Sequence, residues 1–265
     1  MVKTISICGA GWLGLPLARF LKEKAHTVKV STTHSTKHAQ LTEEGFESFQ
    51  FSVHPDAQDS LPNSFFKSDI LIITLPFKRS FLDPRDYVKQ IKRILDTTPS
   101  NTYIIFTSST SVYSKTNDWV TEESKISSPT LRQSVLLEVE NLITSRNGTV
   151  LRLGGLYGPD RQIGGFLRHT KKPKAGLPPV NLVHLEDVIG VIVELIDIHF
   201  PGSIFNIVSD KHPTRRELYT HHASQQGFPV PEFDDTGENS FKIVSNQRLK
   251  DMLRYAFKHP DPMAV

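Results

Sequence analysis

Ile5-Ser-Ile-Cys-Gly-Ala-Gly-Trp-Leu-Gly-Leu-Pro-Leu-Ala18 is the stretch that decides the fold class. A short β-branched run ends in Gly9, Gly11 and Gly14, spaced G-x-G-x-x-G, and a helical apolar pattern follows at once. The pattern reads as strand, tight turn and helix start. Gly9 allows the turn. Gly11 lacks a Cβ, so a pyrophosphate can approach the backbone. Gly14 lets the helix pack close to the strand. Free amides at the helix start would then face the phosphates. Trp12 and Leu13, between the glycines, belong to the same expected cofactor-binding loop. The alternative is a glycine turn without a ligand.

Working outward, strand-like and helix-like segments alternate. Thr4–Cys8 is the first strand and Leu13–Lys24 its helix. Thr27–Ser31 is the second strand, Thr36–Glu44 a short helix, and Phe46–Phe51 a candidate third strand. Ile70–Leu75 is a continuous apolar run ended by Pro76, and Asp86–Leu95 an amphipathic helix. Tyr103–Thr107, Leu131–Ser145 and Thr149–Leu153 read as strand, helix and strand. Continuous apolar strands separated by helices imply a parallel sheet covered on both faces. After Gly154 the texture changes. Residues 157–179 read as a loop rich in Gly, Pro and Lys. Val183–Ile198 reads as helix, Ile204–Val208 as strand, and Pro213–Gln226 and Ser245–Tyr255 as helices. The expected fold is α/β, a Rossmann-type doubly wound parallel sheet with a small C-terminal substrate-binding lobe. Residues 1–155 form the dinucleotide-binding domain, with 181–208 returning to it. The lobe comprises 156–180 and 209–265.

Composition narrows the function classes. A length of 265 residues with 38% hydrophobic content supports a real core. The net charge of +3 is small and the basic residues are scattered, so no nucleic-acid partner is expected. No run of about 18 apolar residues suggests a membrane span, and no signal peptide is read. Cys8 is the single cysteine, so an intramolecular disulfide is impossible and a cytoplasmic location is expected. Cys8 reads as a small core residue. No His-Glu-x-x-His or Cys/His cluster is present, so no metal is expected.

The end of the second strand usually carries an acid for the adenosine ribose of NAD. Here Ser31-Thr-Thr-His-Ser-Thr-Lys37 holds none. Ser31, Thr32, His34, Ser35 and Lys37 suit a 2′-phosphate instead, so NADP is expected ahead of NAD. A polar loop with capping by Ser35 or Thr36 is the plainer alternative. Leu75 and Pro76, ending the Ile70–Leu75 run, complete the expected cofactor set.

The strand Tyr103–Thr107 runs into Ser108-Ser-Thr-Ser-Val-Tyr113. Here the chain resembles the extended short-chain dehydrogenase/reductase superfamily, the NAD(P)-dependent epimerases and dehydratases. Val150-Leu-Arg-Leu-Gly-Gly-Leu-Tyr-Gly-Pro-Asp-Arg161, Asn181-Leu-Val-His-Leu-Glu-Asp-Val188, Gly202-Ser-Ile-Phe-Asn-Ile-Val208 and Pro213-Thr-Arg-Arg-Glu-Leu218 look like its later blocks, in order. The resemblance puts Ser109 at the active-site serine. It implies a sugar-nucleotide or related carbonyl or alcohol substrate, and a homodimer through two sheet-flanking helices. Its Tyr-x-x-x-Lys does not match: with Pro129 and Glu138 as landmarks, Thr130 takes the Tyr place and Ser134 the Lys place. This departure looks like an atypical, YeeZ-like group of the superfamily. Tyr113 is the first choice for a substitute acid, with Tyr157, Lys78, Arg79 and His184 as further candidates. Tyr157, Arg161 and His184 are the expected substrate contacts, with Arg168 and Lys174 in the same lobe. Two functions follow: an NADP-dependent oxidoreductase or epimerase, or an inactive dinucleotide-binding sensor or interaction protein. A hydroxyacid-type dehydrogenase is a third, suggested by the strand end at Pro76.

Overall fold

The structure is a computed structural model that describes residues 1–57, 60–77, 81–127, 129–168, 175–237 and 239–264. In chain order, β1 (Thr4–Cys8) leads to α1 (Gly14–Glu23), β2 (Thr27–Thr32) to α2 (Ser35–Glu43), and β3 (Glu47–Gln50) to the one-turn α3 (Asn63–Phe66). β4 (Ile70–Ile73) precedes α4 (Asp86–Thr97). β5 (Tyr103–Ser109) runs into a 3-10 turn at Thr110–Val112. There follow β6 (Trp119–Val120), α5 (Leu131–Ser145), β7 (Thr149–Leu153), β8 (Gly155–Tyr157), β9 (Leu182–His184) and α6 (Leu185–Asp197). β10 (Ile204–Ile207), α7 (Arg215–Gln226), β11 (Ile243–Val244) and α8 (Gln247–Leu253) complete the set.

The main sheet has seven strands in the order β10-β7-β5-β4-β1-β2-β3. β1 pairs in parallel with β2 on one side and β4 on the other, Ile7 facing Val30 and Ile72. Strand order therefore reverses at β1, as in a doubly wound sheet, and ligands of such sheets sit beyond the carboxyl ends at that point. The α/β class expected from the sequence is the observed one. All four residues of β4 are buried, because it lies between β1 and β5; central parallel strands read as continuous apolar runs for this reason.

Helix faces follow from spacing. Leu17, Ala18 and Leu21 of α1 are buried, and α4 buries Val88, Ile91 and Leu95 at i, i+3, i+7. Lys24 closes α1, and Ala25 turns the chain in the left-handed region at φ 63°. Beside β3, Phe49 and Phe51 meet Phe65 edge-on at 5.3 and 5.1 Å, which is what the short α3 contributes.

The sequence reading differs from the structure in the last third. Val183–Ile198 is not one helix: β9 ends at His184, and α6 begins at Leu185. Branched apolar residues open the run, and periodicity cannot separate a three-residue buried strand from the start of a buried helix there. The sequence pattern also gives no sign of α3, β6, β8 and β11. None exceeds four residues, and the three strands pair only with other short strands.

The chain packs as two compact units. One holds Met1–Ser108, Pro129–Leu151 and Ile192–Ile204; the other holds Ser109–Ser128, Arg152–Val191 and Phe205–Val265. In the second, Tyr157, Ile163, Val180, Leu182, Leu218 and Tyr219 form a core. Among the described residues no helix is long and apolar enough to cross a membrane.

Candidate functional site

The three glycines of the first turn are held for different reasons. Gly9 has φ +109°, a conformation L side chains rarely adopt. A Cβ on Gly14 would lie 2.1 Å from the Gly9 carbonyl oxygen and 2.9 Å from Thr74 Oγ1, so only glycine lets α1 approach β1. A Cβ on Gly11 would meet nothing within 4 Å. The loop is braced from below. Gly9 N–H donates to Ser31 Oγ (3.0 Å), Ala10 N–H to the Ser31 carbonyl (2.8 Å), and Thr74 Oγ1 to the Gly9 carbonyl (2.7 Å). α1 starts without a side-chain cap and without an acid in its first turn. An uncapped helix start beside open backbone suits an anion. Leu13 is buried and Trp12 half-buried, so both side chains help seat the loop.

Around this cradle the expected cofactor residues divide. Ser31 and Thr32 are buried. The Ser31 hydroxyl holds the glycine loop, and Thr32 Oγ1 accepts the His34 N–H at 3.2 Å. His34 and Ser35 are exposed and Lys37 partly so. α2 begins at Ser35 with His34 as its N-cap residue and no side-chain capping bond, so neither Ser35 nor Thr36 is the cap. A cleft of about 390 Å³ lies beyond β2, β3 and β4, lined by Thr33, Ser52, His54, Leu75, Pro76 and Phe81. Ser52, Val53 and His54 were missed from sequence. Their signal is position alone, the first residues past the carboxyl end of β3. The loop after β4 is clamped from two helices. Tyr87 of α4 donates its hydroxyl to the Leu75 carbonyl (2.8 Å) and stacks on Phe77 at 4.7 Å. Arg132 of α5 lies over the Phe77 ring (3.8 Å) and donates to the Phe77 carbonyl. Lys78 and Arg79 lie outside the described residues.

The serine segment is more constrained than the sequence implied. Ser108 Oγ donates to Glu140 Oε1 at 2.5 Å, both groups buried. Ser109 is half-buried and ends β5. Its Oγ accepts the Ser111 N–H (3.1 Å), capping the 3-10 turn, while its own proton can still be given. Tyr113, the first choice for the acid, is an anchor instead. It is 2% exposed, donates to Asn206 Oδ1 (2.7 Å) and accepts from Arg152 (2.7 Å), and burial pushes its phenol up to about 12. A committed, buried phenol that weak does not act as a proton donor to substrate.

On α5, Thr130 is the N-cap residue of a capping box. Its hydroxyl accepts the Gln133 N–H (3.3 Å), and Gln133 Oε1 accepts the Thr130 N–H (2.8 Å). Ser134 lies half-buried in the first turn. Neither side chain carries a charge or an acid near neutrality.

In the second unit, Tyr157 and His184 are buried rather than presented to a ligand. Tyr157 is 1% exposed, its phenol pushed up to about 12 by burial, and its ring meets His184 edge-on at 5.0 Å. His184 Nδ1 accepts the Glu186 N–H (3.2 Å) at the start of α6. Burial holds the His184 pKa below its ordinary value. His184, Glu186 and His259 bring three metal-capable atoms within 4.8 Å. Accepting at Nδ1 places the neutral ring's proton on Nε2, so His184 has no second lone pair to offer a cation. His259 pairs instead with Glu186 (3.2 Å). Arg161 and Arg168 do reach a cleft, one of about 730 Å³ shared with Phe166, Tyr219 and Phe228. Lys174 lies outside the described residues.

No protein-family model matches the chain. Protein YeeZ of Escherichia coli (strain K12) is 34% identical over 275 residues, spanning 100% of this chain and 99% of that protein. Among solved structures, a short-chain dehydrogenase/reductase superfamily protein from Agrobacterium tumefaciens with bound NAD superposes with a TM-score of 0.78 at 17% identity, over 96% of this chain and 92% of that one. UDP-glucuronic acid 4-epimerase from Bacillus cereus in complex with NAD gives 0.76 at 16% identity, over 96% and 94%. The structural likenesses carry the fold, and the full-length sequence match carries the family: the chain belongs to the YeeZ family.

Proposed function

We propose that the chain binds NADP(H) at the glycine loop and acts as an epimerase, dehydratase or reductase on a sugar nucleotide or a related carbonyl or alcohol. The observation that carries the cofactor is the contrast between Gly14, which has no room for a Cβ, and Gly11, which faces open space beside an uncapped helix start. When bound, the nicotinamide supplies hydride transfer at its C4. The chain's own share is binding and orientation. The amides of the glycine loop take the pyrophosphate. Leu75, Pro76 and the newly identified Ser52–His54 enclose the adenosine. His34, Ser35 and Lys37 meet a 2′-phosphate, where residues 31–37 and the first turn of α2 hold no acid. Ser109 offers a hydroxyl proton to a substrate oxygen. Arg161 and the aromatic residues of its cleft suit an anionic ligand that carries rings.

A second reading is a dinucleotide-binding sensor without turnover. It is favoured by the Thr130 hydroxyl, which is occupied in capping, and by the uncharged Ser134. Calorimetry with NADPH and NADH tests the cofactor. NADPH should bind about tenfold more tightly, the scale of one charge-assisted contact. Lys37→Ala should erase that preference, and Gly11→Val should remove both affinities. NADH bound more tightly, or Gly11→Val binding like the parent, would refute it. Nicotinamide absorbance with a panel of UDP- and dTDP-sugars separates the two readings. Turnover lost in Ser109→Ala supports the enzyme; tight NADPH binding without turnover supports the sensor.

A further inference from the structure

We infer that Lys242 is a positioning residue that holds the serine turn Ser109–Tyr113 in place. The inference rests on the reading of Ser109 as the functional hydroxyl. Lys242 Nζ donates to the Thr110 carbonyl at 2.7 Å and to the Tyr113 carbonyl at 2.6 Å. These are main-chain acceptors of the 3-10 turn and of the residue that follows it; the Thr110 carbonyl also accepts the Tyr113 N–H (3.2 Å), so the amine bonds the same carbonyl that closes the turn. The donor comes from 129 and 132 residues away in sequence.

The main chain that carries this lysine is itself fixed. Asn181 Nδ2 donates to the Lys242 carbonyl (3.0 Å), and Asn181 Oδ1 accepts the Val244 N–H (2.7 Å). One residue earlier, Phe241 exchanges two hydrogen bonds with Asn117, at 2.9 and 2.8 Å. β11 then pairs with β6. The main chain on both sides of Lys242 is thus clamped, which fixes the point from which the side chain reaches the turn. The same turn holds Ser109 through its bond from the Ser111 N–H, so the amine and the serine act on one short piece of backbone.

The arrangement depends on charge. Burial, with Lys115 nearby as the like charge, lowers the Lys242 pKa to about 8. The Tyr113 phenol also faces it: its ring centre lies 5.8 Å from Nζ, and it stays neutral to about 12. Below about 8 the turn is held by charge-assisted donors; above it, by weaker neutral ones.

Backbone amide shifts and exchange at Ser111 and Tyr113, followed by NMR on the full chain, test this. In the parent, both amide shifts should titrate with a midpoint near 8. Lys115→Met, an exposed-site change, should move that midpoint upward, because it removes the repelling charge. Lys242→Gln should abolish the titration and lower protection at both amides by about tenfold or more at pH 7, while protection in α1 and β4 is unchanged. A loss spread over the whole molecule, or unchanged protection at the turn, overturns the inference. If Lys242→Gln does not fold, the parent and Lys115→Met still decide, since an absent titration, or a midpoint indifferent to Lys115, overturns it. Failure of the Ser109 reading is seen separately, as sugar-nucleotide turnover that survives Ser109→Ala.

Discussion

Gly11 and Gly14 sit three residues apart and answer to different forces. At Gly14 the constraint is internal, since a Cβ would overlap the Gly9 carbonyl at 2.1 Å. Gly14→Ala should cost roughly 1–3 kcal/mol in urea unfolding, the scale of overpacking against backbone that cannot shift. At Gly11 nothing lies within 4 Å, so Gly11→Ala should stay within about 0.5 kcal/mol of the parent while weakening NADPH binding. Equal destabilisation by the two would remove the distinction between a packing glycine and a ligand glycine. Tyr113 makes the same point for polar groups. Its neighbourhood in sequence suggests chemistry, but its hydroxyl is spent on Arg152 and Asn206.

At the scale of elements, α5 is the helix on which the superfamily resemblance and this chain part. Its start is a capping box, and its reach toward the loop after β4 comes from Arg132 on Phe77. If Thr130 serves the helix rather than the chemistry, Thr130→Ala should lower stability by about 1 kcal/mol through the lost cap and leave NADPH affinity unchanged. Thermal unfolding and calorimetry on the same variant check both halves. A large loss of turnover at unchanged stability would instead return Thr130 to the site. α1 and α2 show the opposite device, two helix starts without caps or acids, both beside the expected cofactor position.

For the molecule as a whole, several buried phenols couple stability to pH. Tyr113 and Tyr157 are pushed up to about 12 from 10.0, each chiefly by burial. A folded-state pKa above the unfolded one means the unfolded chain ionises first. The stability these phenols contribute is complete below pH 10 and is lost as pH rises toward 12. Urea unfolding between pH 9 and 12 should show the decline. The parent should lose roughly 2–3 kcal/mol relative to Tyr113→Phe over that window, since the variant has no such proton to lose. A constant difference between the two would show that Tyr113 ionises alike in both states. Lys242 acts in the opposite sense at lower pH. Its folded-state value near 8, against 10.5, makes stability rise between those two values.

The sequence by itself determined the parts of this protein that depend on near neighbours. Strand, turn and helix at residues 4–23 could be read because hydrophobic period and glycine spacing act within one or two turns of chain. Leu131–Ser145 and Thr149–Leu153 were legible for the same reason, and their bounds agree with the structure. The YeeZ-like group was legible too, from Thr130 and Ser134 at the places where the resembling superfamily has Tyr and Lys. Only the tertiary structure decided which polar residues are free to act. Ser31 and Tyr113 look available in sequence, but each is consumed by a partner 22 to 93 residues away. Ser52–His54 joined the cleft only because β3 ends beside β2, and Lys242 reached the serine turn across 129 residues. A hydroxyl, phenol or ammonium has the same formula exposed or buried. Its partners and its pKa are set by burial and by what the fold brings within 3 Å, and those are properties of distant sequence packed together.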